Sequence, residues 1–466
     1  MNRRLLAAVV MTAVSFSVVA RALPASAHSP ASVLVVGGTP AGVAAAVSAA
    51  RAGSDVTLVG AGPHLGGILT DAMMDQWDLN LAPDGGAIQG GLFREINAQL
   101  GDAFTPDDAA RVFLGLVQSE PRIHLITEAR AVDVRTSAGD GGRAIDGVQF
   151  SRPNGSTFEI DAREVIDATD DGDVAALAGA RYDIGRQDTG TDEKMQPVTL
   201  MFTLKGLDWS RIVTGYDPVR YGTGGATDTR AWGYATLLRA YHPLSPNVVV
   251  RDLNLGREPD GEVTANAIDV QGVDGRSAAD LARARAISEA ETPHLIAFLR
   301  AHLPGFADAV LGRYASAVYV RETRHFAGVD RLTADAVWDG TIPVDTIGLS
   351  SYPLDLHPVT TGDRLAYAPM RHVYGVPFGA LVPRDLTNLL LASPAISATH
   401  IAAGSARVIP TTIEEGEAAG IAAALADRSG LTFPSMARST SALGDLREQL
   451  VRNGAILGYR PAPKLG

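Results

Sequence analysis

Ala31–Gly67 reads ASVLVVGGTPAGVAAAVSAARAGSDVTLVGAGPHLGG. Val33–Val36 is a short apolar, β-branched run, the pattern of a strand buried on both faces. Gly37-Gly38-Thr39-Pro40-Ala41-Gly42 is a turn, and Val43–Arg51, small and apolar on nearly every side, predicts a helix packed tightly on a sheet. Gly53 stops that helix and Val56–Val59 predicts a second buried strand. Strand, glycine turn, helix and strand together form the unit that binds a dinucleotide. Glycines let backbone N–H groups approach a pyrophosphate, and the helix N-terminus adds free donors and a favourable dipole. Gly37, Gly38, Thr39, Pro40, Ala41 and Gly42 are therefore the first binding candidates. Thr39 occupies the second glycine's place in G-x-G-x-x-G, and Gly60 stands at the end of the second strand, where an acidic ribose ligand is expected. A glycine turn used only for packing is the alternative.

A chain of 466 residues has room for two or three domains. Its net charge of -12 argues against nucleic-acid or anionic-membrane partners. After the first thirty residues no apolar run is long enough to cross a bilayer, so stable membrane insertion is not expected once the leader is removed. Residues 1–27 form a signal peptide: Arg3-Arg4, the apolar Leu5–Ala20, and the Ala25-Ser26-Ala27 cleavage site. The paired arginines suit twin-arginine export of a folded, cofactor-loaded protein, with Sec export left open. The expected location is secreted or periplasmic. With no cysteine in the chain, disulfides, dithiol redox chemistry, cysteine-linked cofactor and a cysteine nucleophile are all excluded.

Further landmarks follow in order: VIDATDDGD (Val165–Asp173), KMQPVTLMF (Lys194–Phe202), VRETRHFAG (Val320–Gly328), SSYPLDLHP (Ser350–Pro358), and the Val376–Ala426 stretch that runs through ASPAISATH and ARVIPTTIEEGEAAG. With GGTPAG and PHLGG, they resemble the FAD-dependent oxidoreductases of the glutathione-reductase-like flavoprotein superfamily. The resemblance implies an α/β fold: a Rossmann-like FAD-binding domain with a β-meander, plus an inserted α+β substrate domain. The expected boundaries are 28–190 and 375–430 for the FAD domain, 191–374 for the substrate domain and 431–466 for a helical tail. It also implies that Gly66 and Gly67 pass beside the flavin and that Ala131 meets the adenine through its backbone. Thr169 then lies near the adenosine half, and Pro410 and Thr411 open a helix aimed at the flavin pyrimidine. The family reading makes Asp170, Asp171 and Asp173 a tight turn rather than a metal site, with Asp173 capping the next helix. Relatives usually carry Glu at Gly60, Gly at Asp170 and Ser393, and a second His at Ala403.

Three side chains are catalytic candidates. Arg321 is offered as a fork for an anionic or polyhydroxylated substrate or as a stabiliser of reduced flavin, the alternative being that Glu322 pairs internally with Arg321 or Arg324. His357, two residues after Asp355 on one strand face, and His400 are the candidate bases. His64 is a loop residue that either fixes backbone or serves as ligand, proton donor or flavin attachment point. Trp209, Tyr216, Tyr221, Trp232, Tyr234 and Tyr241 suit a sugar-like or flat substrate, and equally a small domain core. The expected function is an exported FAD-dependent oxidoreductase passing hydride from a small organic, sugar-like substrate to flavin. The alternatives are an exported carbohydrate-active enzyme that uses its cofactor without net redox, and a degenerate flavin-binding protein. A homo-oligomer is left open.

Overall fold

The computed structural model describes residues 31–460 except Asp140, Arg364, Leu365 and Arg371, so the expected signal peptide lies outside the described residues. Strands β1 (Ala31–Val36), β2 (Val56–Val59) and β3 (Ile123–Ile126) form a parallel sheet in the order β3-β2-β1. Helix α1 (Pro40–Arg51) crosses from β1 to β2, as the apolar runs and the Gly53 stop predict. β4 (Arg130–Gly139), β5 (Gly142–Ser151) and β6 (Thr157–Asp167) follow as an antiparallel meander.

β6 changes partner halfway. Thr157–Asp161 pairs antiparallel with β5, while Ala162–Asp167 pairs parallel with β1. The far end of β6 also pairs parallel with Leu389–Leu391, a strand more than two hundred residues later. The alternating first half and the continuous apolar second half read as two strands in the sequence. They are one strand that passes from a half-exposed sheet into a buried one.

The helix Ile409–Ser429 packs across α1 with little side chain between them. A Cβ on Gly416 would fall 2.2 Å from the Ala41 carbonyl oxygen, and one on Gly420 2.2 Å from that of Ala45. The following helix, Thr440–Arg452, buries Ala442, Leu446 and Leu450 in the same core, so the expected tail belongs to the main body of the molecule.

A second core gathers Val198 to Ala309. Its six-stranded antiparallel sheet runs Gly225–Ala226, Arg230–Gly233, Leu253–Arg257, Val263–Asn266, Phe202–Lys205, Val310–Tyr314. The long helix Ala278–His302 contributes Leu295, Ile296 and Leu299 to this core. Rings of Tyr216, Tyr221 and Tyr234 meet at centroid distances of 5.2–5.9 Å inside it. Trp209 and Tyr241 are buried with them, and of the six aromatics Trp232 alone is largely exposed. These side chains build the small domain's core. Phe326, Leu332, Ile347 and Tyr374 pack into the first core. Among the described residues no helix is long and apolar enough to cross a membrane.

Candidate active site

A cleft of about 360 Å3 opens where β1 ends. Gly37, Gly38, Thr39, Pro40 and Ala41 line its floor, with Ala131 and Gly62 toward one end. Tyr319, Arg321, Arg407, Ile409 and Thr412 close the other side. Thr169 and Gly67 also line it.

The floor is built by close approach of backbone. Gly37 has φ +126°, and a Cβ there would fall 2.2 Å from the Ala168 carbonyl oxygen. A Cβ on Gly42 would fall 1.9 Å from the Gly37 oxygen, so Gly42 lies under the cleft and lets α1 touch the strand. Thr39 is accommodated without blocking the turn. Its hydroxyl accepts from Gly42 N–H at 3.1 Å, capping α1, and donates to the Ala168 oxygen at 2.9 Å. Gly66 is buried behind the cleft, facing Thr70 and Phe113. Pro410 and Thr411 are buried in the first turn of their helix, whose cleft-facing residues are Ile409 and Thr412. No side chain caps that helix at Val408.

The turn after β6 carries the acidic cluster. Asp167, fully buried, accepts from the Thr169 hydroxyl at 2.6 Å and from Ala175 N–H at 2.8 Å. Thr169 in turn accepts from Asp173 N–H at 2.7 Å. Asp167 and Thr169 thus do the capping expected of Asp173, which lies inside the helix that Gly172 opens. Asp170 faces the cleft. It is exposed there, and the crowding of protein around it together with the charges of Asp171 and Asp173 raises its carboxyl above the usual range. His64 is an exposed residue of the cleft lining.

Neither candidate base lines the cleft; each is buried against carboxylates. His357 Nδ1 lies 2.6 Å from Asp269 and its Nε2 3.4 Å from Asp355. Burial opposes ionisation of Asp269, yet the charges of His357 and Arg321 outweigh it and hold that carboxyl well below the usual range. Asp355 is held down in the same way by His357 and Arg251. Arg321 pairs with Asp269 at 3.2 Å and donates to the Pro197 oxygen at 2.8 Å and the Thr199 hydroxyl at 2.9 Å. Its guanidinium also stacks 4.7 Å from the centre of the Tyr319 ring.

Glu322 pairs with neither arginine. One of its oxygens takes His400 Nδ1 at 2.6 Å and His325 Nε2 at 2.8 Å; the other takes Gln196 N–H at 3.0 Å. Burial would raise this carboxyl, but the two imidazole hydrogen bonds outweigh it and hold it at about 2. Arg324 instead joins the acidic turn, bonding Asp173 at 3.0 Å. Glu322, His325 and His400 also offer three metal-ligand atoms within 4.8 Å of one another. A metal-bound imidazole gives its second N–H to an acceptor, and His325 Nδ1 has none among the described residues. The trio is therefore a hydrogen-bonded tie. Spacing shows neither this tie nor the His357–Asp269 pair, and the sequence reading also passed over Arg407 and Tyr319 as site residues.

The cleft fits FAD. The glycine turn from Gly37 to Ala41 lines it, the first residues of α1 and of the Ile409–Ser429 helix line it too, and so do the buried guanidinium groups of Arg321 and Arg407. The model of the family described as FAD dependent oxidoreductase matches residues 32–450. No curated protein matches the chain. Among solved structures, a geranylgeranyl bacteriochlorophyll reductase-like protein from Thermoplasma acidophilum is 14% identical, at TM-score 0.40, over 91% of this chain and 83% of its own. The flavin-dependent brominase Bmp2 is 10% identical, at TM-score 0.41, over 90% of this chain and 83% of its own. The p-nitrophenol 4-monooxygenase PnpA from Pseudomonas putida DLL-E4 is 15% identical, at TM-score 0.35, over 64% of this chain and 69% of its own. On the family match across nearly the whole described chain, the protein belongs to the FAD dependent oxidoreductases, and its cofactor is FAD.

Proposed function

We propose that the protein is exported and oxidises a small polar organic substrate. FAD, when bound, supplies the hydride acceptor. The observation that carries this reading is that the polar side chains of Tyr319, Arg321 and Arg407 line the same cleft as the dinucleotide turn. Gly38, Thr39 and Ala41, which line the cleft, would hold the pyrophosphate through backbone N–H groups, since Gly37 N–H is spent on the Val59 oxygen at 2.8 Å. Tyr319 and Arg407 orient the substrate and exclude water from the reacting carbon, while Arg321 holds the Tyr319 ring from its face. His357 and His400 act one step back. His357 holds the Asp269 carboxylate that pairs with Arg321, and His400 holds Glu322, the next residue in the chain. Both are positioning residues for Arg321. Export rests on the Arg3-Arg4 and Ala25-Ser26-Ala27 segment, and N-terminal sequencing of the mature protein from the medium or periplasm tests it. Polyhydroxylated substrates fit the donor-rich wall, since the clustered tyrosines are committed to the domain core.

An absorption spectrum before and after acid precipitation is the direct test. A flavin band that leaves with the supernatant is the expected result. Anaerobic bleaching by one member of a panel of sugars, hydroxy acids and amines, with an oxidised product, then identifies the class. Bleaching without oxidised product points to cofactor use without net redox. Protein that binds no flavin after incubation with FAD overturns the proposal.

A further inference from the structure

We infer that Arg407 is an anion-receiving donor inside the cleft, whose ligand is a delocalised negative charge of about the size of a carboxylate. The inference rests on the flavoenzyme reading above. Arg407 lies between the helix His400–Ala406 and the helix Ile409–Ser429, with a buried side chain that lines the cleft. One Nη donates to the Tyr319 hydroxyl at 2.5 Å. The other reaches the Asp355 carbonyl oxygen at 3.4 Å and an Asp355 carboxylate oxygen at 3.7 Å. Nε–H is buried and has no acceptor among the described residues.

The long approach to Asp355 has a cause. That carboxylate already serves Arg251 at 3.1 Å and His357 at 3.4 Å. Asp78 also acts on Arg407, but through space only. Arg407 therefore has a shared counter-charge and an unused donor. Leaving a buried N–H of a charged group without an acceptor is unfavourable, because its lost hydration is not replaced. The neighbouring Arg321 shows the contrast. It is buried in the same cleft lining, yet both its Nη groups are taken, by Pro197, Thr199 and Asp269. Arg321 grips the Tyr319 ring from its face and Arg407 binds the hydroxyl, so the two fix the tyrosine between them. Beside Arg407, the Ile409–Ser429 helix begins with no side-chain cap, and its cleft-facing Ile409 and Thr412 lie on the same wall. The missing acceptor comes from outside the chain. A guanidinium edge takes a planar, charge-sharing anion best. Two sources present one here: the carboxylate of a substrate, and the ring of the reduced flavin.

The test uses the mature, FAD-loaded protein, with the visible spectrum of the flavin as the readout. Wild type, Arg407→Met and Arg407→Lys are titrated with sulfite, which adds to an oxidised flavin and leaves negative charge on the ring, and separately with acetate and benzoate. Sulfite binding weakened at least about tenfold in Arg407→Met, and partly restored in Arg407→Lys, assigns the donor to the flavin's charge. Unchanged sulfite binding, with the carboxylate-induced spectral shift lost, assigns it to a substrate carboxylate. If Arg407→Met keeps both responses, or the wild-type flavin shows neither, the inference fails. Should Arg407→Met not retain flavin, Tyr319→Phe, which removes the hydroxyl that orients Arg407, takes its place. It is expected to weaken the same response several-fold, and an unaltered response overturns the inference. Wild-type protein that takes up no flavin instead overturns the flavoenzyme reading.

Discussion

The two walls of the cleft are made of different materials. The floor around Gly37–Ala41 is backbone brought into contact by missing side chains, and among the described residues its side-chain hydrogen bonds come from the Thr39 hydroxyl. The opposite wall is a lattice of buried charge in which Arg321, Asp269, His357 and Asp355 hold one another. The floor depends on shape, so any added atom damages it. The charged wall depends on balance, so removing one member strands the others.

Gly42→Val is the most severe way to break this comparison. The new side chain meets the Gly37 carbonyl oxygen at a distance no packing adjustment can absorb. The expected outcome is loss of bound flavin and a destabilisation above about 4 kcal/mol, read by denaturant unfolding and flavin absorbance. Flavin retention near wild type contradicts the shape argument. Glu322→Ala comes next. It leaves His325, His400 and Gln196 N–H without their shared acceptor, and about 3–5 kcal/mol of stability goes with it. Glu322→Gln, which keeps the shape and loses the charge, separates packing from charge balance, and a variant as stable as wild type at pH 7 argues against the lattice.

The mildest test concerns a carboxyl behind the floor. Glu417 is buried on the Ile409–Ser429 helix, where it accepts from Leu92 N–H at 2.9 Å. Burial pushes its carboxyl up to about 7. Because the folded value lies above the unfolded one, its stabilising contribution is complete below about pH 4.5 and is lost as pH rises to about 7. The loss amounts to roughly 3 kcal/mol at most. Glu417→Gln should flatten this decline, gaining stability relative to wild type at pH 8 and not at pH 4.5. Parallel pH profiles of melting temperature in the two proteins refute the assignment.

The floor was readable from sequence because its signals are local. Apolar runs, a glycine turn and a stop residue fall within about thirty positions, and each constrains its neighbours directly. β6 was readable only in pieces, since its change of partner depends on β1 and Leu389–Leu391 rather than on its own composition. The charged wall was legible as residues and not as contacts. Asp355 lies in the short strand Leu354–Leu356 and His357 just past its end, so the expected shared strand stops one residue short; the closer partner of His357 is Asp269, 88 positions away, and His400 meets Glu322 across 78. Nothing in the spacing selects those pairs from the other acids of an acidic chain. Aromatic richness misled in the same way: the tyrosines suited a ligand platform and a core equally, and packing chose the core.

The contact between α1 and the Ile409–Ser429 helix has a consequence for biosynthesis. It joins the first described helix to one near the end of the chain, and the Leu389–Leu391 strand completes the parallel sheet from almost as far away. A nascent polypeptide emerging from the ribosome can close the β4–β5–β6 meander early, but α1 waits without its covering helix until Ile409–Ser429 has been made. The glycine turn is therefore made well before the packing that holds its helix in place.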